Sequence, residues 1–241
     1  MRQATEAKSC MLVRFPRANV DCMPLDLLSL SSVRKFAAAY AVSHQRLDLL
    51  INNAGIMMPP YPLSEDDGES QFAANYLGHF ALTGLLFPLI VNVAGARVVS
   101  LSSLAHRWSG SHFDDINFTQ GYDKRQAYGQ SKLACLMFAY SLQRRLDLAG
   151  TSAISVAAHP GVSSTNLFQT LPALARLFTP LLSVVFQSAE AGALPILYAA
   201  LGDDIVRGNY CGPRSMREMR GAPAKLDSNR CSKDEDAATK L

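Results

Sequence analysis

The sequence predicts an α/β fold with a parallel sheet, and three observations carry that prediction. Short strand-like runs alternate with longer segments of helical period, the pattern that builds a parallel sheet through right-handed crossovers. The run at residues 47–51 is nearly all apolar, as expected for a strand covered on both faces. Polar or glycine-bearing turns follow the strand-like runs: Asn52-Asn53-Ala54-Gly55, Ser102-Ser103 and His159-Pro160-Gly161. Ligands of such sheets bind beyond the carboxyl ends of the strands, so these turns mark one candidate site.

Taken in order, residues 1–11 read as a short helix. Residues 20–26 read as a strand ending at Asp26. Ser29 or Ser31 then caps a helix whose Val33, Phe36, Ala37 and Tyr40 share one face. The strand at 47–51 follows. A long helical pattern at 69–93 carries Phe72, Tyr76, Phe80 and Leu85. Residues 96–101 form the next strand, and a polar and aromatic connection at 107–124 leads to a helix reaching about residue 148. Leu133, Leu136, Met137, Tyr140 and Leu142 give that helix its core face. A strand at 153–158, apolar helical stretches at 172–186 and 189–201, and a short strand at 209–211 complete the pattern.

Composition bounds the function. A chain of 241 residues, 49% hydrophobic and 18% charged, fits a single α/β domain over 1–241 with a sizeable core. A net charge of +3 is too small to argue for nucleic acid or an anionic membrane surface. Cys10, Cys22, Cys135, Cys211 and Cys231 are scattered and show no metal-ligand spacing, so they read as reduced thiols of a cytoplasmic protein without a metal site. No apolar run has the length of a membrane span, and no signal-peptide core opens the chain.

The chemistry points to Tyr128-Gly129-Gln130-Ser131-Lys132. Four residues apart on a helix, Tyr128 and Lys132 share a face. An ammonium one turn away favours the phenolate form of the tyrosine, which makes the pair a candidate general acid and base.

With Asn52–Gly55, the segment Asn75-Tyr76-Leu77-Gly78-His79-Phe80, the strand and turn at residues 98–106, and His159-Pro160-Gly161-Val162, this pair resembles the short-chain dehydrogenase/reductase family. The branch is the one similar to retinol dehydrogenases and related bacterial oxidoreductases, and the resemblance runs from about residue 19 to 241. It implies a Rossmann-like, doubly wound parallel sheet. It also implies NAD(P)-dependent hydride transfer between an alcohol and a carbonyl. In that family pattern Tyr128 exchanges the proton, and Lys132 supports it and bonds the nicotinamide ribose. Ser103 donates to the substrate oxygen, with Ser102 as the alternative hydroxyl, and Asn75 holds a proton-relay water. Asn53, Ala54 and Gly55 pass beneath the cofactor, Asp26 meets the adenine amino group, Pro160, Gly161 and Val162 border the nicotinamide, and Thr165 touches the phosphates. The family treats His79 and His106 as structural.

The sequence also departs from the pattern. No glycine precedes Gly55, so the Thr-Gly-x-x-x-Gly-x-Gly turn that receives the cofactor pyrophosphate is absent. The first two family strands are expected to be missing, and the final helix to stop early. The apolar edges this leaves favour association into a homo-oligomer. The branch points to NADP, with NAD the alternative. The apolar stretch at 161–186 points to a lipophilic alcohol, aldehyde or ketone as the small-molecule substrate. A second reading, from the missing glycine turn, is a cofactor-free remnant serving as a binding module. A hydrolase fits poorly, since no G-x-S-x-G elbow surrounds Ser103.

Overall fold

The computed structural model describes residues 2–60, 63–110, 113–162 and 187–241. Its elements are α1 (Arg2–Arg14), α2 (Leu30–Ser43), β1 (Leu49–Asn52), α3 (Ser70–Ile90), β2 (Arg97–Leu101), α4 (Lys124–Leu148), β3 (Ile154–Ala158), α5 (Ala189–Leu201), β4 (Tyr210–Ser215), β5 (Arg220–Leu226) and α6 (Glu235–Ala238). The strands lie in sequence order, β1-β2-β3-β4-β5. The first four are parallel, and β5 returns antiparallel on β4. The fold is α/β.

Both faces of the sheet are covered because β2 alternates its side chains between them. Val98 joins one buried cluster with Val33 and Ala37 of α2, Leu82, Leu86 and Ile90 of α3, and Leu142 and Leu146 of α4. Val99 and Leu101 face the other way, with Val156, Ala158 and Cys211, under Ala199 and Ala200 of α5. The helix starts are set by side-chain caps on otherwise orphaned N–H groups. Ser29, rather than Ser31, caps α2 by accepting from Ser32 N; Glu69 caps α3, Asp123 caps α4 and Ser188 caps α5.

Three readings of the sequence change. Residues 20–26 form no strand: Pro24 has no N–H to donate, and the Asp26 carboxylate bonds Leu28 N at 2.9 Å, turning the chain into α2. Strand β5 was not legible, because Arg220-Gly-Ala-Pro-Ala-Lys-Leu226 lacks alternation and carries a proline tolerated on an edge strand. Helix α3, in contrast to the sequence reading, is long and apolar enough by length and composition to cross a membrane; 56% of its apolar window is buried inside the protein. The helical stretch expected at 172–186 lies outside the described residues.

Candidate functional site

The first half of α4 carries Tyr128 and Lys132. Asp123 fixes its start, accepting from Arg125 N at 2.8 Å and Gln126 N at 3.2 Å. The Lys132 ammonium lies 5.9 Å from the centre of the Tyr128 ring and donates to Leu101 O at 3.2 Å, at the end of β2. Tyr128 is half-buried, whereas Lys132 is buried with its head turned into the molecule. The neighbouring Ser102 is buried, and its hydroxyl donates to Lys132 O at 2.8 Å, pinning α4 to the end of β2.

Facing this pair, α3 widens into a π turn over Ala73–Leu77, with Gly78 N reaching back to Ala73 O. Such turns insert one residue into a helix and are frequent at functional sites. Asn75 sits at the centre of it, 1% exposed. Its amide accepts from Ile56 N at 2.8 Å and donates to Ile56 O at 3.0 Å and to the Ser131 hydroxyl at 2.9 Å. The Asn75 carbonyl receives Cys135 Sγ at 3.2 Å and lies 2.9 Å from His79 Nδ1. Since a carbonyl only accepts, His79 carries its proton on Nδ1. One turn earlier, Gln71 accepts from Met58 N at 2.7 Å and donates to the Tyr122 hydroxyl at 2.9 Å and Lys124 O at 3.1 Å. Two amides of α3 thus tie the segment after β1 to the start of α4.

That segment passes the site at Gly55. A Cβ there would lie 2.9 Å from Asn75 Oδ1 and 3.3 Å from Lys132 Nζ, so only glycine fits without moving either group. Asn53, Ala54 and Gly55 are exposed on this rim.

The turn after β2 brings Ser103, whose Oγ accepts from Ala105 N at 3.2 Å and caps the 3₁₀ turn Leu104–Arg107. The turn after β3 brings Pro160, Gly161 and Val162. Gly161 has φ +70°, and an added Cβ would strike Met219 O at 2.4 Å. Val162 N donates to Met219 O at 2.8 Å, while Gln187 bonds Pro160 O and Val162 O. The described hydrogen bonds of Asp26 stay within the approach to α2 and its first turn. Thr165 lies outside the described residues.

Burial governs the titratable groups around the site. Loss of water holds His79 down at about 4 against 6.5 for a free imidazole; its bond to the Asn75 carbonyl opposes the shift, and the Lys132 charge adds to it. Burial likewise pushes the Cys135 thiol up. Both are neutral at physiological pH.

The residues present fit one end of a nicotinamide cofactor. Lys132 uses one of its three N–H donors on Leu101 O, and among the described residues the two others are left for ribose hydroxyls. Gly55, without a Cβ, leaves backbone open beside that ammonium.

A family model described as short chain dehydrogenase matches residues 3–174. The chain belongs to the short-chain dehydrogenase family. Within the family it falls in the retinol-dehydrogenase-like branch. It is 37% identical over 231 residues to human retinol dehydrogenase 13, covering 92% of this chain and 66% of that protein. It is 41% identical over 184 residues to mouse retinol dehydrogenase 12, covering 75% and 56%. It is 38% identical over 219 residues to the chloroplastic short-chain dehydrogenase TIC 32 A of Brassica napus, covering 87% and 68%. The chain thus spans between 56% and 68% of the length of these curated relatives. Among solved structures, an uncharacterized protein from Mycobacterium paratuberculosis aligns with a TM-score of 0.76 at 39% identity, over 97% of this chain and 77% of that one. The Pseudomonas aeruginosa RhlG/NADP complex shares the fold, with a TM-score of 0.57 at 23% identity, over 85% and 80%. By this membership the chain is an oxidoreductase of the short-chain dehydrogenase type.

Sequence reasoning missed Ser131, Gln71 and Cys135. Spacing held a signal for two of them: Ser131 immediately precedes Lys132, and Gln71 is one turn before Asn75 on the same helix.

Proposed function

We propose that this protein interconverts an alcohol and a carbonyl by hydride transfer with a nicotinamide cofactor, NADP in preference to NAD. One observation carries the reading: the Lys132 ammonium stands 5.9 Å from the Tyr128 ring and beside Gly55, where a strand end leaves the backbone open. In this reading the nicotinamide, when bound, supplies or takes up the hydride. Tyr128 donates its hydroxyl proton to the carbonyl oxygen in reduction and takes the alcohol proton in oxidation. Lys132 stabilises the tyrosinate charge and holds the ribose. Ser103 supports the developing oxyanion: its Oγ accepts from Ala105 N and keeps its own hydrogen for the substrate, whereas the Ser102 hydrogen is spent on Lys132 O.

Asn75 orders the proton path behind Lys132, and Asn53, Ala54, Gly55, Pro160, Gly161, Val162, Thr165 and Asp26 line the cofactor. Residues 1–241 act as one cytoplasmic domain that self-associates, on a lipophilic alcohol, aldehyde or ketone. Better turnover of small polar carbonyls than of long-chain ones would overturn that substrate class.

The deciding experiment is titration of the purified chain with NADPH and then NADH, following nicotinamide fluorescence. Micromolar binding supports the reading, and Tyr128→Phe should then keep binding while losing turnover by about 10²–10⁴-fold, the range for a general acid. No binding at millimolar cofactor overturns the reading and favours the second one, a cofactor-free binding module.

A further inference from the structure

Behind Ser103 and Pro160 lies a buried polar cluster that hydride transfer does not use. The rings of His106 and Tyr210 meet edge-on, 5.8 Å between centres, and the His159 ring lies 5.3 Å from Tyr210 at a tilt. All three side chains are buried, and His106 Nε2, His159 Nε2 and Tyr210 Oη have no hydrogen-bond partner among the described residues.

The backbone fixes both imidazole tautomers. His106 Nδ1 lies 2.6 Å from Ser103 O, an acceptor, so its proton is on Nδ1 and Nε2 is a bare acceptor. His159 Nδ1 accepts from Gly161 N at 3.1 Å, so its proton is on Nε2. One ring therefore grips the turn after β2, and the other grips the turn after β3.

Glu218 closes the cluster. Its Oε2 lies 3.6 Å from His159 Nε2, and its carboxylate takes both of the short bonds from Arg107, at 2.8 and 2.9 Å. At 3.6 Å the Glu218 carboxylate stands beside His159 Nε2 but beyond hydrogen-bond reach, a neighbour rather than a partner. Glu218 belongs to the tight β4–β5 connection, where Met216, Arg217 and Glu218 all have positive φ, at 49°, 55° and 67°. Consecutive left-handed residues bearing a Cβ are disfavoured and persist only where their surroundings hold them. Here the holders are Arg107 on one side, and on the other the Val162 N bond to Met219 O at 2.8 Å.

We propose that Glu218 is a positioning residue. Through its bonds from Arg107 on one side and the adjoining Val162 N bond to Met219 O on the other, it locks the Ser103 turn and the Pro160–Gly161–Val162 turn in one register, with Tyr210 packed against both imidazoles. The kinetic consequence rests on the oxidoreductase reading: the substrate-oxygen donor and the nicotinamide wall belong to different turns, and hydride transfer needs both in place at once.

Hydrogen exchange on the whole chain tests the coupling without cofactor. Glu218→Ala should raise exchange roughly tenfold at residues 102–107 and 159–162, the factor expected when a hydrogen bond to a charged group is lost. Glu218→Gln, which still offers an oxygen to Arg107, should restore most of the protection. If the alanine chain fails to fold, as faster exchange at Val99 and Val156 would reveal, Arg107→Met takes its place and must loosen residues 159–162 across the bridge. Change confined to residues 214–220 overturns the proposal. Nitrogen NMR should find His106 as the Nδ1–H and His159 as the Nε2–H tautomer; the reverse pairing overturns it too. In turnover, Glu218→Ala should lower kcat about tenfold with KM unchanged, rescued by Gln. An unchanged kcat beside loosened turns overturns the positioning role. Failure to bind NADPH would sink the oxidoreductase reading while the exchange and NMR results still decide the bridge.

Discussion

The Asn75 side chain bonds both main-chain groups of Ile56, donating to its carbonyl at 3.0 Å and accepting from its N–H at 2.8 Å. An amide does here what a neighbouring strand would do, and the segment after β1 is thereby laid against the π turn of α3. Replacing Asn75 by Ala strands both main-chain groups of Ile56 and removes the donor to the Ser131 hydroxyl, which keeps its own bond to Tyr128 O. A loss of about 2–3 kcal/mol of stability is expected, since leaving a buried polar group unpaired costs roughly 1–3 kcal/mol. Denaturant unfolding measures it, and a variant as stable as wild type would contradict the account.

Gly55→Ala tests the crowding at the same place. Asn75 cannot retreat without breaking its three bonds, so the methyl displaces Lys132 or the backbone. Cofactor binding should weaken at least tenfold for about 1.4 kcal/mol of misfit, with a smaller change in melting temperature. Equal affinity in the two chains would mean that residue 55 does not approach the ligand.

The buried histidines predict an acid-side loss of stability. Burial holds His79 at about 4 and His159 at about 3, below the ordinary 6.5, so both are neutral when folded. The unfolded chain binds their protons below pH 6.5 and the folded chain resists, so stability is full above that pH. It is lost as pH falls towards the folded values. About 2 kcal/mol per histidine should be gone at pH 5. His79→Gln should flatten the difference between pH 7 and pH 5; an unaltered slope would assign the effect elsewhere.

Trp108, the single tryptophan, offers a direct reporter. It is half-exposed, stands 6.4 Å from the Tyr128 ring and carries Arg125 over its face at 5.6 Å. A ligand reaching Tyr128 should change its fluorescence, in Tyr128→Phe as in wild type. Binding seen by another method without any change in tryptophan emission would move the ligand away from this turn.

Much of this was legible in the sequence because pattern and chemistry agreed locally. The strands at Leu49–Asn52, Arg97–Leu101 and Ile154–Ala158 are apolar runs, and Tyr128 and Lys132 met one turn apart because helical spacing requires it. What was not legible depends on partners distant in the chain. Residues 20–26 had strand composition but gain no ladder, and β5 had none yet pairs with β4 because a sharp turn returns it. The π turn at Ala73–Leu77 leaves no mark on apolar periodicity; what surrounds it is Ser131, 56 residues away, and Cys135, 60 residues away.

The two edges of the sheet differ in kind. At one, β5 presents Arg220, Pro223 and Lys225, a proline without N–H and two charges, which resist further pairing. At the other, β1 is Leu49-Leu50-Ile51-Asn52, a short edge with neither. Growth of this sheet is therefore directional. A strand that joins it adds on the outer side of β1, next to the turn that carries Asn53 and Gly55, so sheet extension and the rim of the candidate site share one border.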